Sequence, residues 1–92
     1  MKQVLWALDQ YTADDDVVYH EFKSKNEALR EASKIAQRDN DGDSLFVLKK
    51  YIREGWRQNG MTCWDNNWEL DDDWNVTPKG IFDIITKQKV RP

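Results

Sequence analysis

Residues 4–11 interleave apolar positions (Val4, Leu5, Trp6, Ala7, Leu8, Tyr11) with Asp9 and Gln10, in the β-branched, aromatic and aliphatic types that favour strands. Residues 17–22 repeat that character after Thr12-Ala13-Asp14-Asp15-Asp16, so the two runs predict a hairpin with an acidic tip. Ser24-Lys25-Asn26-Glu27 then forms a capping box, in which the Ser24 hydroxyl accepts from the Glu27 backbone N–H at the start of a helix. Leu29, Ala32, Ile35 and Ala36 recur at helical spacing as a narrow apolar stripe, and Lys25, Arg30, Glu31, Lys34 and Arg38 fall largely on the wet side. Asp39-Asn40-Asp41-Gly42-Asp43 ends the helix, because Asn40 and Gly42 tolerate the left-handed conformation of a helix stop.

Residues 45–52 predict a strand, apolar on both faces in its first half and turning toward solvent from Lys49 onward. Asn59-Gly60, set between Trp56-Arg57-Gln58 and Met61-Thr62-Cys63-Trp64, is a type I′ hairpin signal, since both central residues take positive φ readily. Residues 65–75 lack a clear period, and Asn66-Asn67 and Asp71-Asp72-Asp73 favour turns, so this segment reads as a loop carrying tryptophans. Thr77-Pro78 suits a helix cap and first position, with Ile81, Phe82 and Ile85 on one helical face. The β-branched residues of 81–86 leave residues 78–88 open to strand as well. The expected fold is a single α+β domain over residues 1–92. In it a small antiparallel sheet of about four strands, in ββαββ order, packs on one main helix, with a short C-terminal helix or strand. Over residues 4–52, around Phe22-x-Ser24-x-x-Glu27-Ala28, the order resembles the compact ββαβ arrangement of many small bacterial and phage domains.

Composition narrows the functional classes. Charged residues at 34% exceed the usual ~25% and hydrophobic residues are only 39%, a balance that alone leans toward disorder. The 5 Trp, 3 Tyr and 3 Phe argue for a folded core, because burying such rings is what offsets ordering entropy. With 92 residues there is room for one modest core and none for a cleft between two domains. A net charge of -3 is too mild for a general nucleic-acid binder or a strong phosphate mimic. A lone cysteine, Cys63, and an N-terminal apolar run interrupted by Asp9 without a secretory cleavage signature lead to the expectation of a cytoplasmic protein.

Candidate chemistry is sparse. Asp39-x-Asp41-x-Asp43 has the first spacings of a calcium loop, but Ser44 and Lys50 occupy its glycine and glutamate positions; Asp65, Asn67 and Glu69 fail similarly, with Leu70 and Val76 there. Cys63 and His20 are the only thiol and imidazole, and no signature joins them. A general acid needs a carboxyl in a buried setting, whereas three adjacent aspartates in a turn are expected to be hydrated. No zinc, phosphate-loop or dinucleotide motif is present, and no catalytic residue, metal ligand or cofactor is expected.

The most unusual stretch is residues 64–74, which hold five acids (Asp65, Glu69, Asp71, Asp72 and Asp73), no base, and Trp64, Trp68 and Trp74. A Trp ring buries roughly 200 Å² and is enriched at contact hot spots, while carboxylates steer a basic partner, so Asp65, Trp68, Glu69, Asp71, Asp72, Asp73 and Trp74 form the candidate protein-binding set. The competing reading puts the tryptophans in the core, more firmly for Trp64, with the acids keeping the segment hydrated. Lys49, Lys50, Arg53 and Arg57, with Trp56 interleaved, form an alternative nucleic-acid-binding set. In size and surface type the chain resembles phage or mobile-element anti-defence proteins, such as anti-CRISPR inhibitors and DNA mimics, and the immunity proteins of nuclease toxins. The resemblance implies a non-enzymatic inhibitor that docks on a basic surface of a nucleic-acid-handling protein. Two alternatives stand beside it: a small nucleic-acid-binding regulatory domain, and a structural or assembly subunit pairing through strand edges.

Overall fold

The computed structural model describes residues 1–39 and 42–90. The elements run β1 (Lys2–Tyr11), β2 (Val17–Phe22), α1 (Lys25–Arg38), β3 (Leu45–Gln58), β4 (Met61–Trp64), β5 (Glu69–Thr77), β6 (Gly80–Asp83) and β7 (Lys89–Val90). All seven strands join one antiparallel sheet of order β2-β1-β3-β5-β6-β7, with β4 paired to the far end of β3.

The hairpin of β1 and β2 turns through its acidic tip, where Asp15 takes positive φ (62°) and the Thr12 N–H donates to the Asp16 carbonyl at 2.9 Å. The Ser24 hydroxyl accepts from the Glu27 N–H at 3.1 Å, as the capping box requires. Ala28, Ala32, Ile35 and Ala36 are the buried face of α1, with Leu29 at its margin. Three alanines on that face let the helix lie close to the sheet, where it meets Trp6, Leu8, Phe22, Phe46, Leu48, Val76 and Ile81 in one cluster. At the helix end the Asp39 N–H still donates to the Ile35 carbonyl, and Gly42 takes φ 86°. Asn40 and Asp41 of the expected stop lie outside the described residues.

The four-stranded ββαββ expectation is overturned: among the described residues strands make up 56% and the one helix 16%. Two segments account for the difference. Residues 65–75 are not a loop throughout, because β5 begins at Glu69 and pairs with β3 from Ile52↔Glu69 to Phe46↔Val76. Its alternation is hidden by a register break. Lys50 faces Asp72 while Tyr51 faces Leu70, leaving Asp71 as an extra residue that shifts the period of two by one. Its acids are tolerated in a strand because β6 covers β5 only from Trp74 to Thr77, so residues 69–73 keep one side open to water.

The second segment is 78–88, which is a hairpin and not a helix. The Thr77 hydroxyl, expected as a helix cap, instead accepts from the Lys79 N–H at 3.1 Å and closes the turn into β6. Beyond β6 the Asp83 carboxylate accepts from the Ile85 and Thr86 N–H groups, at 2.9 and 2.8 Å, and turns the chain back to β7. These bonds, with that from Thr86 first, hold the Asp83 carboxyl below its ordinary range. Asn59 (φ 52°) and Gly60 (φ 78°) make the predicted tight turn, but β3 reaches it as one 14-residue strand. Among the described residues no helix is long and apolar enough to cross a membrane.

Candidate functional site

Alternation along β3 divides its side chains between two surfaces. Phe46, Leu48, Lys50, Ile52, Glu54 and Trp56 share the helix-bearing side, whereas Val47, Lys49, Tyr51, Arg53 and Arg57 lie on the side no helix covers. The five residues of the basic set therefore do not form one surface: Lys50 and Trp56 are separated from Lys49, Arg53 and Arg57 by the sheet itself.

Most of that basic charge is already answered inside the chain. Lys49 Nζ lies 2.8 Å from Asp9 Oδ2 and donates to the Tyr11 hydroxyl at 3.0 Å, in a pair whose side chains are only 19% and 13% exposed. The bond to Asp9 outweighs desolvation and holds the Lys49 ammonium well above the ordinary lysine range. Lys50 Nζ reaches Asp71 at 3.0 Å and stands 6.0 Å from the Trp6 ring centre. Arg53 donates to the Gln3 amide oxygen, and its guanidinium carbon lies 4.5 Å from the Trp68 ring centre and 5.4 Å from that of Trp64. Arg57 donates to the Thr62 hydroxyl across the β3–β4 hairpin. Antiparallel pairing of β3 with β5 thus sets the basic run beside the acidic one.

The tryptophans of residues 64–74 are taken up by packing. Trp74 stacks on Trp6, with ring centres 5.4 Å apart and planes inclined by 17°, against the core cluster. Trp68 is half-buried over Arg53. Trp64 lies across Gly55, its register partner, so closely that a Cβ there would sit 2.5 Å from the ring. Trp56, on the outer hairpin, is the exposed one, at 48%.

The acids divide in the same way. Asp71 holds Lys50, and Asp73 is half-buried in register with Lys49. Asp65, Glu69 and Asp72 are exposed and form no ion pair among the described residues. Asp65 accepts from the Asn67 N–H at 3.0 Å, and Asp72 from the Asp73 N–H at 2.8 Å, so both carboxylates bond to nearby backbone with lone pairs to spare. Asp72 and Asp73, with Asp83, Ile84 and Ile85, border a depression of about 190 Å³, and Ile85 is 90% exposed.

Comparison with protein families, curated proteins and solved structures returns no match for this chain. Its chemistry is therefore read from its own geometry. His20 sits in register with Leu8, and Cys63 with Trp56; through Leu48 these rows are eight positions apart along β3, roughly 26 Å at about 3.3 Å per residue. That separation precludes a thiol–imidazole pair. Among the described residues no three His, Cys, Asp or Glu side chains converge on a point that could hold a metal; Asp41 of the partial calcium spacing lies outside them. A depression of about 430 Å³ on the uncovered side is lined by groups such as Tyr11, Leu45, Asn75 and Thr77 and by no carboxylate, imidazole, thiol or amine.

Two clusters were not foreseen from the sequence: Asp9–Tyr11–Lys49, and Gly55 with Trp64, Arg53, Trp68 and Gln3. The first had a usable signal, since Asp9 breaks an apolar strand on the side opposite Leu8 and needs a cation there. The second depends on the β3–β4 register, which sets Trp64 across from the only glycine in β3.

Proposed function

We propose that this chain is a non-catalytic interaction protein that docks on a basic protein surface through the open side of β5. The observation that carries this reading is the unshared charge of Glu69 and Asp72 along a strand stretch paired on one side only, with Asp65 in the connection that leads into it. The depression between Asp72 and Ile85 adds an apolar contact beside the acids, which suits a partner segment presenting lysine or arginine next to an aliphatic side chain. In this reading the acids make the contact, while Trp68, held against Arg53, and Trp74, stacked on Trp6, support the surface from within. A chain of this size acting by occupancy alone would obstruct its target sterically and electrostatically, and a basic target surface is what nucleic-acid-handling proteins present. An anti-defence or immunity-type inhibitor is the fitting class, by analogy of size and surface.

The basic-strand alternative has less free charge to offer, because Lys49 and Lys50 are ion-paired and Arg53 and Arg57 are hydrogen-bonded within the fold. The test is affinity purification with the native chain, followed by titration of the identified partner. Asp65→Lys, Glu69→Lys and Asp72→Lys together should weaken binding at least about tenfold and flatten its salt dependence. Unchanged affinity and salt slope would refute the assignment. A mobility shift of nucleic acid by the chain alone would favour the alternative.

A further inference from the structure

The free edges of the sheet are unequal. Among the described residues β7 is only two residues long and β4 four, while the open stretch of β5 carries Asp71, Asp72 and Asp73 and the register break at Asp71. Each of these devices discourages pairing with another strand. β2 has none of them. It is an outermost strand of six residues, Val17-Val18-Tyr19-His20-Glu21-Phe22, with one formal charge, no proline and no bulge in its pairing with β1. Val17, Val18 and Tyr19 are 55%, 41% and 52% exposed.

The hairpin fixes which amides of β2 face outward. The Thr12 N–H donates to the Asp16 carbonyl, so Thr12 and Asp16 are a hydrogen-bonded pair, and alternation places the groups of Val18, His20 and Phe22 toward β1. The backbone groups of Val17, Tyr19 and Glu21 therefore point away from the sheet. The charges flanking the strand are arranged head and tail, with Asp14, Asp15 and Asp16 before it and Lys23 and Lys25 after it. All five are exposed, and none forms an ion pair among the described residues.

From this geometry we infer that β2 is a homodimer edge, along which a second copy of this chain pairs antiparallel about a two-fold axis at Tyr19. In that register Tyr19 lies opposite Tyr19 of the second copy, and Val17 opposite its Glu21. All the outward groups then exchange hydrogen bonds. The same register carries the acidic tip of each copy alongside Lys23 and Lys25 of the other, so the edge is complementary to itself in charge as well as in backbone. An antiparallel two-fold pairing requires this, because whatever precedes the strand in one copy meets whatever follows it in the other. The surface is distinct from the β5 edge, and the two assignments stand or fall separately.

Sedimentation velocity of the full chain over about 10 to 200 µM should show the mass rising from 11.0 kDa toward twice that value, with dissociation promoted by salt. Lys23→Asp with Lys25→Asp makes both ends of the edge acidic and should raise the dimer Kd at least about tenfold. Asp14→Lys with Asp15→Lys and Asp16→Lys makes both ends basic and should do the same, while mixing the two variants restores a heterodimer. Tyr19→Pro removes an outward N–H that β1 does not use and should give a monomer with the circular dichroism of the native fold. A chain that stays monomeric throughout the range overturns the inference. So does a dimer that withstands both charge reversals, or a mixture that fails to reassociate. Should Tyr19→Pro unfold the chain, the charge-swapped pair decides.

Discussion

Replacing Gly55 with alanine tests the packing of the outer hairpin, because two opposed effects of known size meet there. Gly55 lies outside the left-handed region, so an alanine would ordinarily stabilise by about 0.4–1 kcal/mol through the unfolded chain. Here its methyl would sit 2.5 Å from two ring carbons of Trp64 and 3.1 Å from a third. That ring cannot swing aside freely, since the Arg53 guanidinium lies over it and over Trp68. Forcing a methyl into such a contact costs about 1–3 kcal/mol, and loosening the cation–ring contact adds about 0.5–1 kcal/mol at a partly exposed site. The net expectation is a loss of about 0.5–3.6 kcal/mol, centred near 2, which for a chain of this size lowers Tm by several degrees or more, at about 4–8 °C per kcal/mol. Thermal unfolding followed by near-ultraviolet circular dichroism reads both the shift and the displaced ring. In a Trp64→Val background the methyl has room, and the same substitution should become neutral or stabilising. A Gly55→Ala chain that melts higher than the native one would refute the reasoning.

Trp74→Ala should cost about 3–5 kcal/mol in denaturant unfolding, because it removes a ring stacked on Trp6 against the core; Trp68→Ala, at a half-buried surface position, should cost clearly less. Lys49 is held charged by Asp9 and Tyr11, so its contribution is fully present below the unfolded lysine value of about 10.4 and is lost as pH rises beyond it toward the higher folded value. Stability measured by urea unfolding should therefore fall above about pH 10.4, and Lys49→Met should flatten that fall while lowering stability at neutral pH. A native alkaline limb retained in Lys49→Met would sink this account.

The first half of the fold was legible because its signals are local: alternation in β1 and β2, the serine cap of α1 and the Asn59-Gly60 turn act within a few residues. The second half was hidden for specific reasons. Asp71 shifts the alternation of β5, and Asp72 and Asp73 read as turn formers because nothing in the sequence says that β6 stops at Trp74. Thr77-Pro78 offers the same hydroxyl-to-backbone bond to a helix and to a turn, and the latter goes with pairing of β6 to β5 and burial of Ile81 in the core, neither of which is a local signal. At the candidate site the acids were visible, whereas their division into paired and unpaired groups was not. That division depends on which β3 lysine each one faces, a consequence of register between segments about twenty residues apart.

The position of β3 also governs how the chain comes into being. This strand carries β1 on one side and β4 and β5 on the other, yet it follows the first hairpin by a whole helix. During synthesis at about 5–20 residues per second, roughly 2 to 10 s separate the completion of β1 from that of β3. Through that interval Trp6 and Leu8 sit on a strand with one neighbour, shielded only by the alanine-rich face of α1 once it forms. The nascent chain therefore presents β1 with its β3 side unpaired throughout that interval.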